Sequence, residues 1–168
     1  AKEQRAFLPA GESLKLSFRE KWNVGDAMEF RYAGATAYAA LRGSKSLLKW
    51  LRERWCLWDR RTCEVAAEGG HLDVLKYAHE NGCRWSESTC FMAAVRGHID
   101  ILQYAHDNGC PWDESTCVGA ARGGHLDVLK WLRSQKPPCP WNLITCAAAA
   151  LNGHLDAVSY THLRANET

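Results

Sequence analysis

The apolar positions of this chain recur in a helical rhythm, and the rhythm itself returns every 27 residues. In "GHLDVLKYAHENGC", which begins at Gly70, the residues Leu72, Leu75 and Ala78 share one face, with Val74 and Tyr77 flanking it. Asp73, Lys76 and Glu80 share another face, so the segment predicts an amphipathic helix with a single buried stripe. Related segments begin at Gly97 ("GHIDILQYAHDNGC"), Gly124 ("GHLDVLKWLRSQKPPC") and Gly153 ("GHLDAV"). Their histidines are His71, His98, His125 and His154, at steps of 27, 27 and 29. The longer last step comes from extra residues near Pro137 and Pro138.

The intervening stretches are equally regular: "CLWDRRTCEVAAEGG", "CRWSESTCFMAAVRG", "CPWDESTCVGAARGG" and "CPWNLITCAAAALNG". Each predicts a loop followed by a short helix. Asp59, Ser86, Asp113 and Asn142 stand where an N-cap is needed, and Thr62, Thr89, Thr116 and Thr145 cap instead if the helix starts later. An alanine pair such as Ala120 and Ala121 lets neighbouring helices approach closely. Gly-His forms the turn, Gly82 and Gly109 suit a left-handed position after the second helix, and Pro111 and Pro140 prevent its continuation. A degenerate earlier unit has Gly43 a full period before Gly70, Ala39 and Ala40 matching Ala66 and Ala67, and "LLKWLRERWC" as second helix. Residues 35–157 therefore predict about five helix–turn–helix units, the last truncated, in an all-α repeat solenoid. One unit cannot bury its own apolar face, whereas stacked units make a continuous core from neighbour contacts.

The stretch from Thr116 to Leu126 resembles the ankyrin repeat. Thr116 matches the motif threonine, Cys117 replaces its proline, Val118 takes the leucine position and Gly119 the histidine position. Ala120, Ala121, Gly124, His125 and Leu126 match directly. The resemblance recurs in register over about residues 35–157. The ankyrin period is about 33 residues, and the shortage here falls in the loop between units. The resemblance thus implies helix pairs with shortened or absent β-hairpins, and a binding surface moved from fingertips to the first helices. It implies no catalytic residues and no cofactor, and it places the first helices on the concave side.

Composition changes this picture little. The chain has 168 residues, 46% hydrophobic and 24% charged, a globular balance. A formal net charge of +2 gives no argument for nucleic acid or a membrane surface as partner. No apolar run of about 18 residues is present, and no secretory pattern opens the chain. The expectation is a monomer in the cytoplasm or nucleus with a protein as partner.

Eight cysteines raise the question of zinc or disulfides. They lie two per unit with six residues between, not at the two-to-four-residue spacing of zinc ligands. Small buried hydrophobes are the plain reading, and no metal site is expected. A disulfide between Cys83 and Cys90, or between stacked loops, is the covalent alternative, disfavoured inside a cell. A metal- or redox-responsive module built on the cysteine columns is the second functional reading. The histidines read as turn residues satisfied by backbone groups. Trp58, Trp85, Trp112 and Trp141 read as loop-on-loop packing, with a ligand stripe as the alternative. Asp73–Lys76 and Asp127–Lys130 read as solvated surface pairs.

Partner contacts in such an array belong to positions that differ between otherwise matching units. In the first helices these are Glu64, Glu68, Phe91, Met92, Arg96, Val118 and Arg122, with Phe91 beside Met92 as apolar anchor. Residues 1–34 do not repeat and read as an N-terminal cap. Residues 158–168 lose the repeat pattern and resemble a translated sequencing adapter, differing at Asn166, so this tail reads as non-native and the array as a fragment.

Overall fold

The computed structural model describes residues 34–59 and 61–165, the side chains of 163–165 excepted. The cap expected in residues 1–34 therefore lies, all but Gly34, outside the described residues, as do the tail residues 166–168. Ten helices and no strand occur among the described residues: α1 Ala35–Leu41, α2 Lys45–Glu53, α3 Thr62–Glu68, α4 Leu72–Glu80, α5 Glu87–Arg96, α6 Ile99–Asp107, α7 Glu114–Gly123, α8 Leu126–Ser134, α9 Leu143–Leu151 and α10 Leu155–Ala165.

They form five helical hairpins. The first helices α1, α3, α5, α7 and α9 pack in file, each on the next. The second helices form the outer row, α2 against α4, α4 against α6 and α8 against α10. The first-helix row is the tighter, because its contact faces are built from alanine: Ala39, Ala40, Ala66, Ala67, Ala93, Ala94, Ala120 and Ala121 are all buried. The second helices bury larger side chains, Val74 and Leu75, Ile101 and Leu102, Val128 and Leu129. Leu72, expected on that stripe, is only half-buried, and Val74 takes its place. The hairpin tilts α4 so that its buried stripe is Val74, Leu75 and Ala78.

Three of the four expected N-caps stand as read. Ser86 and Asn142 form capping boxes with Thr89 and Thr145, and the Asp113 carboxylate accepts from the Ser115 N–H. In the second hairpin α3 begins later, at Thr62, although the Asp59 carboxylate still accepts from the Arg61 N–H. Gly82 and Gly109 take left-handed φ of 85° and 78° after the second helices, and Trp55 occupies the same place in the first unit at φ 61°.

The two extra residues of the fourth unit leave the register intact. The Cys139 N–H donates to the Leu132 carbonyl, as Cys110 does to Ala105, Cys83 to Ala78 and Cys56 to Leu51. Residues 158–165 continue α10, with Tyr160 edge-on to Trp141 as Trp131 is to Trp112. Tyr160 stands at the position of Trp131.

Candidate partner-binding face

Each turn holds the first-helix row together through a histidine. The Leu41 carbonyl accepts from His71 Nε2 at 3.2 Å, Glu68 from His98 at 3.3 Å, Val95 from His125 at 3.1 Å and Arg122 from His154 at 3.1 Å. Because a carbonyl is the partner, Nε2 carries the proton in all four. The ring sits where a glycine of the preceding unit has left room. A Cβ at Gly97 would lie 2.5 Å from His125 Nδ1, and one at Gly124 2.5 Å from His154 Nδ1. Each histidine thus ties the end of one first helix to the turn of the next unit.

The seven positions singled out from the sequence lie on this row but in different settings. Glu68 and Arg96 meet across adjacent first helices, Arg96 Nη2 lying 2.7 Å from Glu68 Oε1. Glu64 reaches the next loop, where with Arg84, Trp85, Ser86, Glu87 and Ser88 it lines a shallow hollow of about 450 Å³. Phe91 is half-buried, not free: its ring and carbonyl lean on Gly119, where a Cβ would come within 3.0 Å of either. Met92 and Val118 are half-buried and Arg122 is exposed. Phe91 and Val118 share a register position on α5 and α7, and the structure brings them onto neighbouring helices.

The tryptophans form a second ladder, along the outer loops. Trp85 stacks on His79 at 3.5 Å between centroids, and Trp112 on His106 at 4.1 Å. Arg52 and Arg133 lie over Trp58 and Trp141 at the same register position, each 4.5 Å from the ring centroid. The next unit adds an edge-on ring, Tyr77, Tyr104, Trp131 or Tyr160. The four loop tryptophans are half-buried, and the period-27 pairing with column 79 was readable once His79 and His106 were aligned with Arg52 and Arg133. Lys76 lies over the Tyr104 ring, 5.1 Å from its centroid.

All eight cysteines are free, seven of them buried and Cys146 half-buried. The thiol facing Cys83 belongs to Cys63, not to Cys90 and not to a stacked loop. The physical reason is that the loop folds back onto the first turn of its own hairpin, while the six residues between Cys83 and Cys90 carry Cys90 into α5. Among the described residues no three His, Cys, Asp or Glu converge as metal ligands. No helix among them is long and apolar enough to cross a membrane.

Residues 90–133, from the middle of α5 through α8, match the family model described as ankyrin repeats (many copies). Over these residues the chain is similar to ankyrin repeats. No curated protein matches it. Among the described residues no strand lies between the hairpins: the loops of this array run straight from a cysteine through tryptophan toward the next first helix.

Proposed function

We propose that the array is a protein-binding scaffold that receives its partner on the face of the first helices, the concave side in ankyrin arrays. Ankyrin repeats serve in general as interaction modules rather than catalysts. The carrying observation is the division of labour along the first helices. In the second, third and fourth units the positions that stack are alanine, threonine and cysteine and fully buried, whereas the outward positions differ from unit to unit. Glu64, Phe91 and Val118 share one such register position, and Met92 and Arg122 lie beside them.

Phe91 is the anchor this reading depends on. A half-buried aromatic ring held against Gly119 is already ordered, so little side-chain entropy is lost when a partner covers it. Arg122, Arg96 and Glu68 supply a charged rim. The test is quantitative capture of binding proteins by the full chain, by Phe91→Asp and by Lys76→Glu on the outer helices, with helicity and unfolding midpoints measured for all three. The scaffold reading expects partners to be lost by Phe91→Asp and kept by Lys76→Glu. Retention of every partner by a folded Phe91→Asp chain removes the first-helix face from consideration.

A further inference from the structure

The cysteines take no part in the proposed binding face, and their placement is more ordered than a packing role requires. In three units the loop cysteine lies on the first-turn carbonyl of its own hairpin. Cys83 Sγ is 3.9 Å from the Asp59 oxygen, Cys110 Sγ 3.5 Å from Ser86 and Cys139 Sγ 3.3 Å from Asp113. Each of those carbonyls precedes a helix cysteine by four residues, one helical turn: Cys63, Cys90 and Cys117. The loop thiol is therefore delivered to the foot of the turn from which the helix thiol hangs. The two thiols of each pair interact with one another, and Cys117 Sγ also approaches the Cys139 carbonyl at 4.0 Å. The molecule carries its own controls. Thr36 stands at the helix position opposite Cys56, and no cysteine follows Cys146.

We propose that the pairs Cys63/Cys83, Cys90/Cys110 and Cys117/Cys139 are disulfide sites, closed by oxidants of the hydroperoxide class. In the first step a thiolate sulfur attacks the peroxide, the O–O bond breaks, the sulfur becomes a sulfenic acid and an alcohol or water leaves. In the second step the partner thiol attacks the sulfenic sulfur, the S–S bond forms and water leaves. Each pair gives up two hydrogens and two electrons, and the hydroperoxide takes them. The bridge ties the foot of a first helix to the end of its own second helix, bracing each hairpin separately and leaving the stacking between hairpins unlinked.

Burial and the neighbouring thiol bear on the rate. Interaction with the partner thiol, with burial added, holds Cys63, Cys110 and Cys139 above the ordinary thiol range, while the same contact with Cys63 holds Cys83 below it. The thiolate is the reacting form, so closure accelerates as pH rises.

The experiment treats the full chain with hydrogen peroxide at pH 7 and pH 9, then denatures it with N-ethylmaleimide and maps peptides by mass. Closure removes about 2 Da per bridge and leaves two of the eight cysteines alkylated, Cys56 and Cys146. Cross-linked peptides should join Cys63 to Cys83, Cys90 to Cys110 and Cys117 to Cys139, form faster at pH 9, and open with dithiothreitol. Cys63→Ser should lose one bridge and free Cys83 for alkylation while the other two persist. Bridges from Cys83 to Cys90 or from Cys110 to Cys117, bridges between molecules, sulfinic acids without bridges, or eight alkylated cysteines after prolonged oxidation at pH 9 would each overturn the assignment.

Discussion

Thr89, Thr116 and Thr145 occupy one register position, are fully buried, and differ in what their hydroxyls do. The Ser86 and Asn142 N–H groups donate to Thr89 and Thr145, completing capping boxes. In the unit between them the Asp113 carboxylate takes both the N–H and the hydroxyl of Ser115, and the Thr116 hydroxyl has no partner. A buried hydroxyl without a partner costs stability that an isosteric methyl does not. Thr89→Val should therefore destabilise the chain by about 1 kcal/mol, the ordinary cost of a lost cap, while Thr116→Val should be neutral or stabilising. Urea unfolding of the two variants checks this, and equal losses would show that the hydroxyls are equivalent after all.

At the scale of the element, the joint between hairpins is a glycine and a histidine acting together. Gly97 at φ 77° ends α5 in a conformation that an alanine enters at a cost of about 1 kcal/mol or more. An added Cβ also strikes the His125 ring, whose hydrogen bond to Val95 joins the second unit of the pair. Gly97→Ala should thus cost about 2–3 kcal/mol in the wild-type chain, combining the left-handed cost with a lost part-buried hydrogen bond. In a His125→Ala background it should cost about 1 kcal/mol, the backbone share alone. The double-mutant cycle measured by chemical denaturation should return a coupling near 1 kcal/mol or above. Strict additivity would mean that the ring moves aside freely. Gly123 is more constrained still, since a Cβ there would lie 2.3 Å from the Val95 carbonyl oxygen of the neighbouring helix.

Over the whole molecule, each hairpin is held only by its neighbours, so the described array has one inner region and a C-terminal edge. The edge is visible in matched positions. Leu72, Ile99 and Leu126 are half-buried, whereas Leu155 is 76% exposed, and Leu151 at the end of α9 is 86% exposed. Leu129→Ala in the core should cost about 2–5 kcal/mol, and Leu155→Lys should stay within about 0.5 kcal/mol, as surface changes do. Native-state hydrogen exchange should be fastest in residues 143–165 and slowest in α5 and α7, because nearest-neighbour interfaces supply most of the protection. Uniform protection along the array would contradict a neighbour-only account.

The period, the helix pairs, the alanine faces and the ankyrin resemblance were legible in the sequence because they are local and repeated: each depends on spacing within a unit, and spacing is what a sequence records. The assignment of His71, His98, His125 and His154 to backbone partners was legible for the same reason, though not which carbonyls, which lie about thirty residues earlier on the neighbouring helix. Tertiary structure alone decided where the loops come to rest. It set Cys83 against Cys63 instead of Cys90, laid Trp85 on His79, pressed Phe91 onto Gly119 and joined Arg96 to Glu68. Those contacts depend on the tilt and distance between stacked hairpins, and no interval along the chain encodes either. The first helices and their outward residues were thus named by the repeat, while packing determined which of them are free to meet a partner and which already meet each other.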